Sequence, residues 1–190
     1  MIAEHCLDLK CHPSTRPEAV RAIQVVVNRS SSADLKMTFR LDGDISRITI
    51  SPPRIATPLW QHTCFEAFIA VEGSALYHEF NFAPSGECAV RAFRGYRDAV
   101  PLASEIGPMP IAVRASDQRL ELETRVQLER LSASHRYSVL RIGLSAVVEA
   151  GDGTLSYWAL QHRADKPDFH DANTFALRLE APESSPRSLP

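Results

Sequence analysis

The sequence predicts an all-β protein, a sandwich or barrel of antiparallel strands, and three observations carry that reading. Apolar and polar residues alternate at period two over long stretches. Segments of strand length recur at roughly 8–12-residue spacing between turn signals. Only one short segment, Glu129–His135, has the pattern of a helix. The alternation is clearest where Leu35, Met37, Phe39 and Leu41 interleave with Lys36, Thr38 and Arg40. It recurs where Leu120, Leu122, Thr124, Val126 and Leu128 interleave with Glu121, Glu123, Arg125, Gln127 and Glu129. Successive strand side chains point to opposite faces, so each segment reads as an antiparallel strand with one dry and one wet face.

The remaining elements follow in chain order. Ile23, Val25 and Val27 begin a strand, and Ser30–Asp34 turns it toward the strand at Leu35. Asp42-Gly43-Asp44 makes a second tight turn leading into Ile48 and Ile50. A loop follows Pro52-Pro53. Cys64–Val71 and Leu76–Phe82 form a hairpin about Glu72-Gly73, and Pro84-Ser85-Gly86 turns the chain into Ala89–Phe93. Pro101, Pro108 and Pro110 make 95–110 a loop, with a short helical turn over Arg97–Ala103. Ile111–Arg114 returns to strand, and Ser116-Asp117 turns it into the strand at Leu120. After the helix, Tyr137–Glu149 and Leu155–Gln161 form a hairpin whose turn, Gly151-Asp152-Gly153, carries the glycines that positive φ favours. Phe175–Leu179 supplies a closing strand.

Length and composition bound the rest. A chain of 190 residues fits one domain, expected over residues 1–180, followed by a Pro- and Ser-rich tail, 181–190, that reads as disordered. The hydrophobic share of 44% and charged share of 23% are those of an ordinary soluble globular protein. A net charge of -2 provides no basic footprint for nucleic acid and no polybasic segment for anionic lipid. The amino-terminal residues carry charges throughout, and no run has the length to span a bilayer. Cys6, Cys11, Cys64 and Cys88 form no CxxC pair, so the expectation is reduced thiols in a cytoplasmic protein.

Three stretches combine polar and aromatic residues in a way a purely structural strand does not need. They are Leu59–Phe68, Tyr77–Glu87 and Ser156–His162, the last running on to Pro167-Asp168-Phe169-His170. If the strands at 63–69 and 77–82 pair through the Gly73 turn, Glu66 comes near Glu79 and Asn81 on one face. Such a row can accept hydrogen bonds from a polyol, clamp an arginine or help to bind a cation. Its bland alternative is a buried network satisfied by Arg91, Arg94 or Arg97. Trp60 and Trp158 are the natural stacking surfaces for a sugar ring, with Gln161 and His162 beside them. The alternative for both tryptophans is the core, where Trp is often largely buried.

Other chemistries have weaker support. His162, Asp168 and His170 share one short loop and could ligate a divalent metal, although their spacing matches no compact zinc signature. Hydrolysis of a glycoside requires carboxylates facing across a cleft, which two paired strands do not provide for Glu66 and Glu79. His62 and Cys64 lack an orienting third group, so Cys64 reads as a structural thiol.

At these same residues the chain resembles the DOMON-like family related to family 9 carbohydrate-binding modules. The resemblance rests on Trp60–Phe68, Glu79–Gly86, Gly95-Tyr96-Arg97-Asp98, Leu144–Glu149, Ser156–Leu160 and Lys166–His170, and spans about Pro58 to Leu179. It implies an antiparallel β-sandwich of jelly-roll or immunoglobulin-like type that binds sugar or, in other branches, haem. For a sugar site it implies aromatic stacking, for which Trp158 and Trp60 are the candidates. For haem it implies a Met axial ligand, whereas Met37 lies on the apolar face of a strand and Met109 lies between prolines. The combined expectation is a non-catalytic module without a resident cofactor, binding a carbohydrate-like small molecule through Trp60, Glu66, Glu79, Asn81, Trp158, Gln161 and His162. A metal-dependent enzyme using the His162–His170 loop, a haem carrier and a protein-interaction domain are the alternatives.

Overall fold

A computed structural model describes residues 4–30, 34–50, 58–103, 106–107 and 109–182. The described residues form twelve antiparallel strands and one short α-helix. In chain order the strands are β1 (Glu4–Cys11), β2 (Val20–Arg29), β3 (Asp34–Gly43), β4 (Cys64–Val71), β5 (Tyr77–Phe82), β6 (Cys88–Gly95) and β7 (Asp98–Val100). They continue with β8 (Ile111–Ala115), β9 (Arg119–Gln127), helix α1 (Ala133–Tyr137), β10 (Leu140–Glu149), β11 (Leu155–Ala159) and β12 (Leu177–Leu179). The hydrogen-bonded order is β7-β6-β5-β4-β10-β11-β1-β2-β3-β9-β8, with β12 paired to the start of β10.

This path folds into two layers. One is β1-β2-β3-β9-β8 and the other is β7-β6-β5-β4-β10-β11. β1 belongs to both, pairing with β2 along Glu4–Leu9 and with β11 through Lys10 and Cys11. Between the layers lies the main core. The period-two reading of β3 and β9 holds residue by residue: Leu35, Met37, Phe39 and Leu41 face inward with Leu120, Leu122, Thr124 and Val126. Across the gap Phe39 meets Phe65 of β4, with ring centroids 5.0 Å apart. The opposite face of this layer is wet and carries cross-strand ion pairs such as Arg40–Glu121 and Arg119–Asp42. Exposed pairs of that kind contribute at most about 1 kcal/mol, so the apolar layer dominates.

Three sequence expectations change. The helical turn expected over Arg97–Ala103 is instead a tight turn into β7, with Arg97 at φ 54. The helix expected at Glu129–His135 divides into a 3-10 turn at Leu128–Arg130 and the five-residue α1, because the apolar residues there cap one end of the sandwich and do not follow a long stripe. β1 was not anticipated, since its side chains are only partly buried and its apolar alternation is weak. The turns themselves agree well: Ser30 N–H donates to Asp34 O across one, and Gly73 and Gly153 take φ of 81° and 84° in two others. Ser31, Ser32, Ala33, the loop at Pro52-Pro53, and 183–190 of the expected tail lie outside the described residues.

Arg29, at the end of β2, ties the far end together. Its guanidinium donates to Leu179 O and Glu180 O at the end of β12 and to His135 O and Arg136 O, two carbonyls that the end of α1 leaves open. The Phe39–Phe65 contact carries the packing between the layers, so Phe39→Ala should destabilise the fold by about 3–5 kcal/mol. Urea unfolding followed by far-UV circular dichroism measures this, and a loss below about 1 kcal/mol would mean that the layers do not depend on that contact.

Candidate functional site

The site is built on the face of the second layer that points away from the main core. In β4, Phe65, Ala67 and Ile69 face inward, so period two sends Cys64, Glu66 and Phe68 outward. Register then aligns the neighbours: Glu66 is opposite Asn81 and Phe68 opposite Glu79, while Glu79 is opposite Arg91 and Tyr77 opposite Phe93. On the other side Ser145 is opposite Glu66, and Val147 is opposite both Cys64 and Tyr157. One face therefore collects Glu66, Phe68, Glu79, Asn81, Arg91, Ser145, Val147 and Tyr157.

The segment 161–176 folds back over this face, and a second apolar cluster of Phe68, Tyr77, Phe93 and Phe175 secures it. Phe175 stacks on Phe68 at 5.7 Å, and Gly143 beneath admits it: a Cβ there would meet Phe175 Cδ1 at 2.7 Å. Polar pins complete the attachment. Tyr96 Oη donates to Asp168 Oδ2 at 2.6 Å and Arg97 Nη2 donates to Asp168 Oδ1 at 3.0 Å. Two motifs distant in sequence, Gly95–Asp98 and Lys166–His170, thus meet across the face. Arg97 holds a left-handed backbone that costs a non-glycine residue free energy, and the turn it makes aims its side chain at Asp168.

Where the cover stops short, a cavity of about 200 Å³ remains, lined by Trp60, Tyr157 and Phe169 on its apolar sides and by Glu66, Glu79, Arg91, Arg97 and His170 on its polar ones. Pockets for drug-sized ligands run to roughly 300–1,000 Å³, so this one suits a single ring or the end of a chain.

Glu66 and Glu79 are both buried. Ser145 Oγ donates to Glu66 Oε2 at 2.8 Å, and Asn81 Nδ2 donates to Glu79 Oε1 at 2.8 Å. Burial, reinforced by the neighbouring Glu79, raises the Glu66 carboxyl to about 8; burial likewise raises Glu79. Among the described residues, Glu79 Oε2 has no hydrogen-bond partner. His170 Nε2 lies 3.9 Å from it. Tyr77 Oη accepts from the Arg97 backbone N–H at 3.2 Å and lies 2.9 Å from His170 Nδ1. With the Tyr77 hydroxyl donating a hydrogen bond to Nδ1, a neutral His170 carries its N–H on Nε2, on the Glu79 side. Burial and the positive charge of Arg97 push His170 down to about 4, consistent with that neutral form.

The expected site residues separate into two groups. Trp60, Glu66 and Glu79 line the cavity, and Asn81 orients Glu79 from the same face. Trp158 does not join them: it is 5% exposed in the main core and donates Nε1–H to Ser156 Oγ at 3.1 Å. Alternation along β11 explains this, since Tyr157 takes the outward position and Trp158 the inward one. Gln161 is exposed and outside the cavity. His162 lies behind the cover with Nε2 2.7 Å from Lys10 O and its ring edge-on to His12.

The metal candidates do not converge. His162 meets Lys10, Asp168 is held by Tyr96 and Arg97, and His170 sits between Tyr77 and Glu79. Among the described residues no group of three or more His, Cys, Asp and Glu side chains is placed to hold a metal ion. Met37 is fully buried in the main core and Met109 packs against it. Sequence reasoning named Arg91 and Arg97 only as partners of a buried network, and it missed Tyr157 and Phe169 as lining residues. Extending strand parity from β4 through β10 to β11 would have found Tyr157.

No family model and no curated protein matches the chain. Solved structures do match. A candidate carbohydrate-binding protein from Bacteroides uniformis superposes with a TM-score of 0.69 at 14% identity, over 91% of this chain and 84% of its own. A family 9 carbohydrate-binding module from Caldicellulosiruptor kristjanssonii, solved with cellotriose, gives 0.62 at 6% identity over 97% and 86%. A family 9 module from the same organism, solved with glucose, gives 0.54 at 9% identity over 96% and 88%. The chain has the sandwich fold of these modules, as its sequence motifs led one to expect; at such identities the likeness is one of fold.

The raised carboxyl of Glu66 makes stability depend on pH in a defined direction. The folded chain holds that proton to about 8 while the unfolded chain releases it near 4.5, so stability falls as pH rises through that interval. Glu66→Gln should remove the Glu66 share of the dependence and leave that of the likewise raised Glu79: its stability relative to the parent should rise between pH 5 and 8, by on the order of a few kcal/mol, and level off above. The lowered histidines act below their usual range and cancel in the difference. Urea titrations of both proteins across this range test it, and a pH-independent difference would mean that Glu66 is ionised throughout.

Proposed function

We propose that the chain is a non-catalytic, DOMON-like module of the family 9 carbohydrate-binding type that takes a sugar ring in the cleft between Trp60 and Tyr157. The observation that carries this reading is the pairing of an exposed tryptophan with an unpartnered buried carboxylate oxygen. Trp60 is 44% exposed and lines the same cavity as Glu79, whose Oε2 has no hydrogen-bond donor among the described residues. A sugar offers both an apolar ring face and hydroxyl donors at its edge. Neutral Glu66 can donate as well as accept, and Arg91 and Arg97 donate to ring and hydroxyl oxygens.

The non-catalytic part of the reading rests on the placement of the carboxylates. Glu66 and Glu79 come from adjacent strands of one wall, so they approach a ligand from the same side and not from opposite faces of a scissile bond. The fold supports the reading further, because modules of this shape have been solved with cellotriose and with glucose.

Titration with glucose, cellobiose and cellotriose, followed by tryptophan fluorescence, tests the proposal. Saturable quenching is expected, with Trp60→Ala weakening binding about tenfold or more, the equivalent of about 1.4 kcal/mol of stacking. Trp158→Phe should leave affinity within about threefold while lowering stability, because that side chain is core. Equal affinity in Trp60→Ala, or no saturation with any sugar, would overturn the reading.

A further inference from the structure

A second cavity, of about 320 Å³, lies at the end of the sandwich beside α1. Its walls are apolar, formed by Val71, Leu76 and Leu131 among others, and two histidines face it, His78 from β5 and His135 from α1. Both are nearly inaccessible, 5% and 2% exposed, and their rings meet edge to face with centroids 5.3 Å apart. Among the described residues, His78 Nδ1 and His135 Nε2 are buried without a hydrogen-bond partner. Two orphaned polar atoms on neighbouring rings of a mostly apolar wall cost free energy unless something outside the chain satisfies them.

The chemistry of the pair narrows what that is. His135 Nδ1 lies 2.7 Å from Ser132 Oγ, which in turn lies 2.6 Å from Ser134 Oγ at the mouth. If Nδ1 donates to Ser132, Nε2 is a bare acceptor; if Ser132 donates, Nε2 carries the proton. Either way a single hydroxyl can serve both rings, donating to one bare nitrogen and accepting from the other ring's N–H. Burial lowers both imidazoles, His135 to about 4, which keeps them neutral and suits an uncharged partner. Among the described residues no carboxylate or thiol lines the cavity, so that donor set is poor for a cation.

We infer that this end of the sandwich is a second small-molecule site, separate from the Trp60 cleft, for an uncharged apolar ring carrying one hydroxyl. The ring fills the space against Val71, Leu76 and Leu131, and the hydroxyl bridges His78 and His135.

Phenol and cyclohexanol are the probes, titrated into the full chain at pH 7.5 while the histidine ring signals are followed by long-range ¹H–¹⁵N NMR. Saturable shifts of His78 and His135 are expected, with His170 and Trp60 signals unmoved. Ser134→Phe plugs the mouth from an exposed helix position without touching the core, and should raise the apparent Kd at least tenfold. The inference is overturned if neither probe gives saturable shifts, or if Ser134→Phe leaves them unchanged. A buried water seen between the two rings that neither probe displaces would also overturn it.

Discussion

Everything about the site depends on β4 being buried on both of its faces. All of its positions except the last are inaccessible, and the two faces do different work. Phe65, Ala67 and Ile69 close the main core, which fixes the register of the strand. With register fixed, Glu66 and Phe68 have no choice of direction: a slip by one residue would put a carboxylate between the layers and a phenylalanine ring outside. The polar row is thus held in place by apolar packing on the opposite side of the same strand.

The outward face would be an ordinary wet sheet face but for the cover over it. Residues 161–176 lie across it through the Phe68–Phe175 stack, His170 among three aromatic rings, and the Asp168 pins. The cover is incomplete at Glu66 and Glu79, and the gap is the cleft. Low accessibility raises these carboxyls, and it also keeps their oxygens available to a ligand in place of bulk water. Recognition and electrostatic cost therefore share one origin, the partial exclusion of solvent from a sheet face.

Most strands were legible in the sequence because alternation is a local signal, and β1 and β7, whose alternation is weak or short, were not. Phe39 and Leu122 behave as their periodicity required, as do the hairpin turns at Gly73 and Gly153. Which face a residue occupies was legible only within a strand, and which strand lies beside which was not. That is why Glu66, Glu79 and Asn81 were grouped correctly through one hairpin, whereas Trp158 was assigned to a face that belongs to Tyr157. Its size and polar neighbours pointed to recognition, yet its parity relative to Val147 and Glu66 runs through β10, a pairing of distant segments. Arg97 was foreseen only as a partner of a buried carboxylate network, and its place in the cavity wall escaped for a different reason. Its position depends on a positive-φ turn at a non-glycine residue, and nothing in the side-chain pattern announces that backbone.

The shared strand β1 has a mechanical consequence. It pairs with β2 over six residues, from Glu4 to Leu9, but with β11 over only Lys10 and Cys11. A pull applied near the amino-terminal end loads the longer ladder in shear and the shorter one as a hinge. That β1–β11 seam is short, so the union of the two layers rests chiefly on side-chain packing such as Phe39 against Phe65 and on the ties that Arg29 makes, while the strands that carry Glu66 and Glu79 are laced to each other by a full backbone ladder.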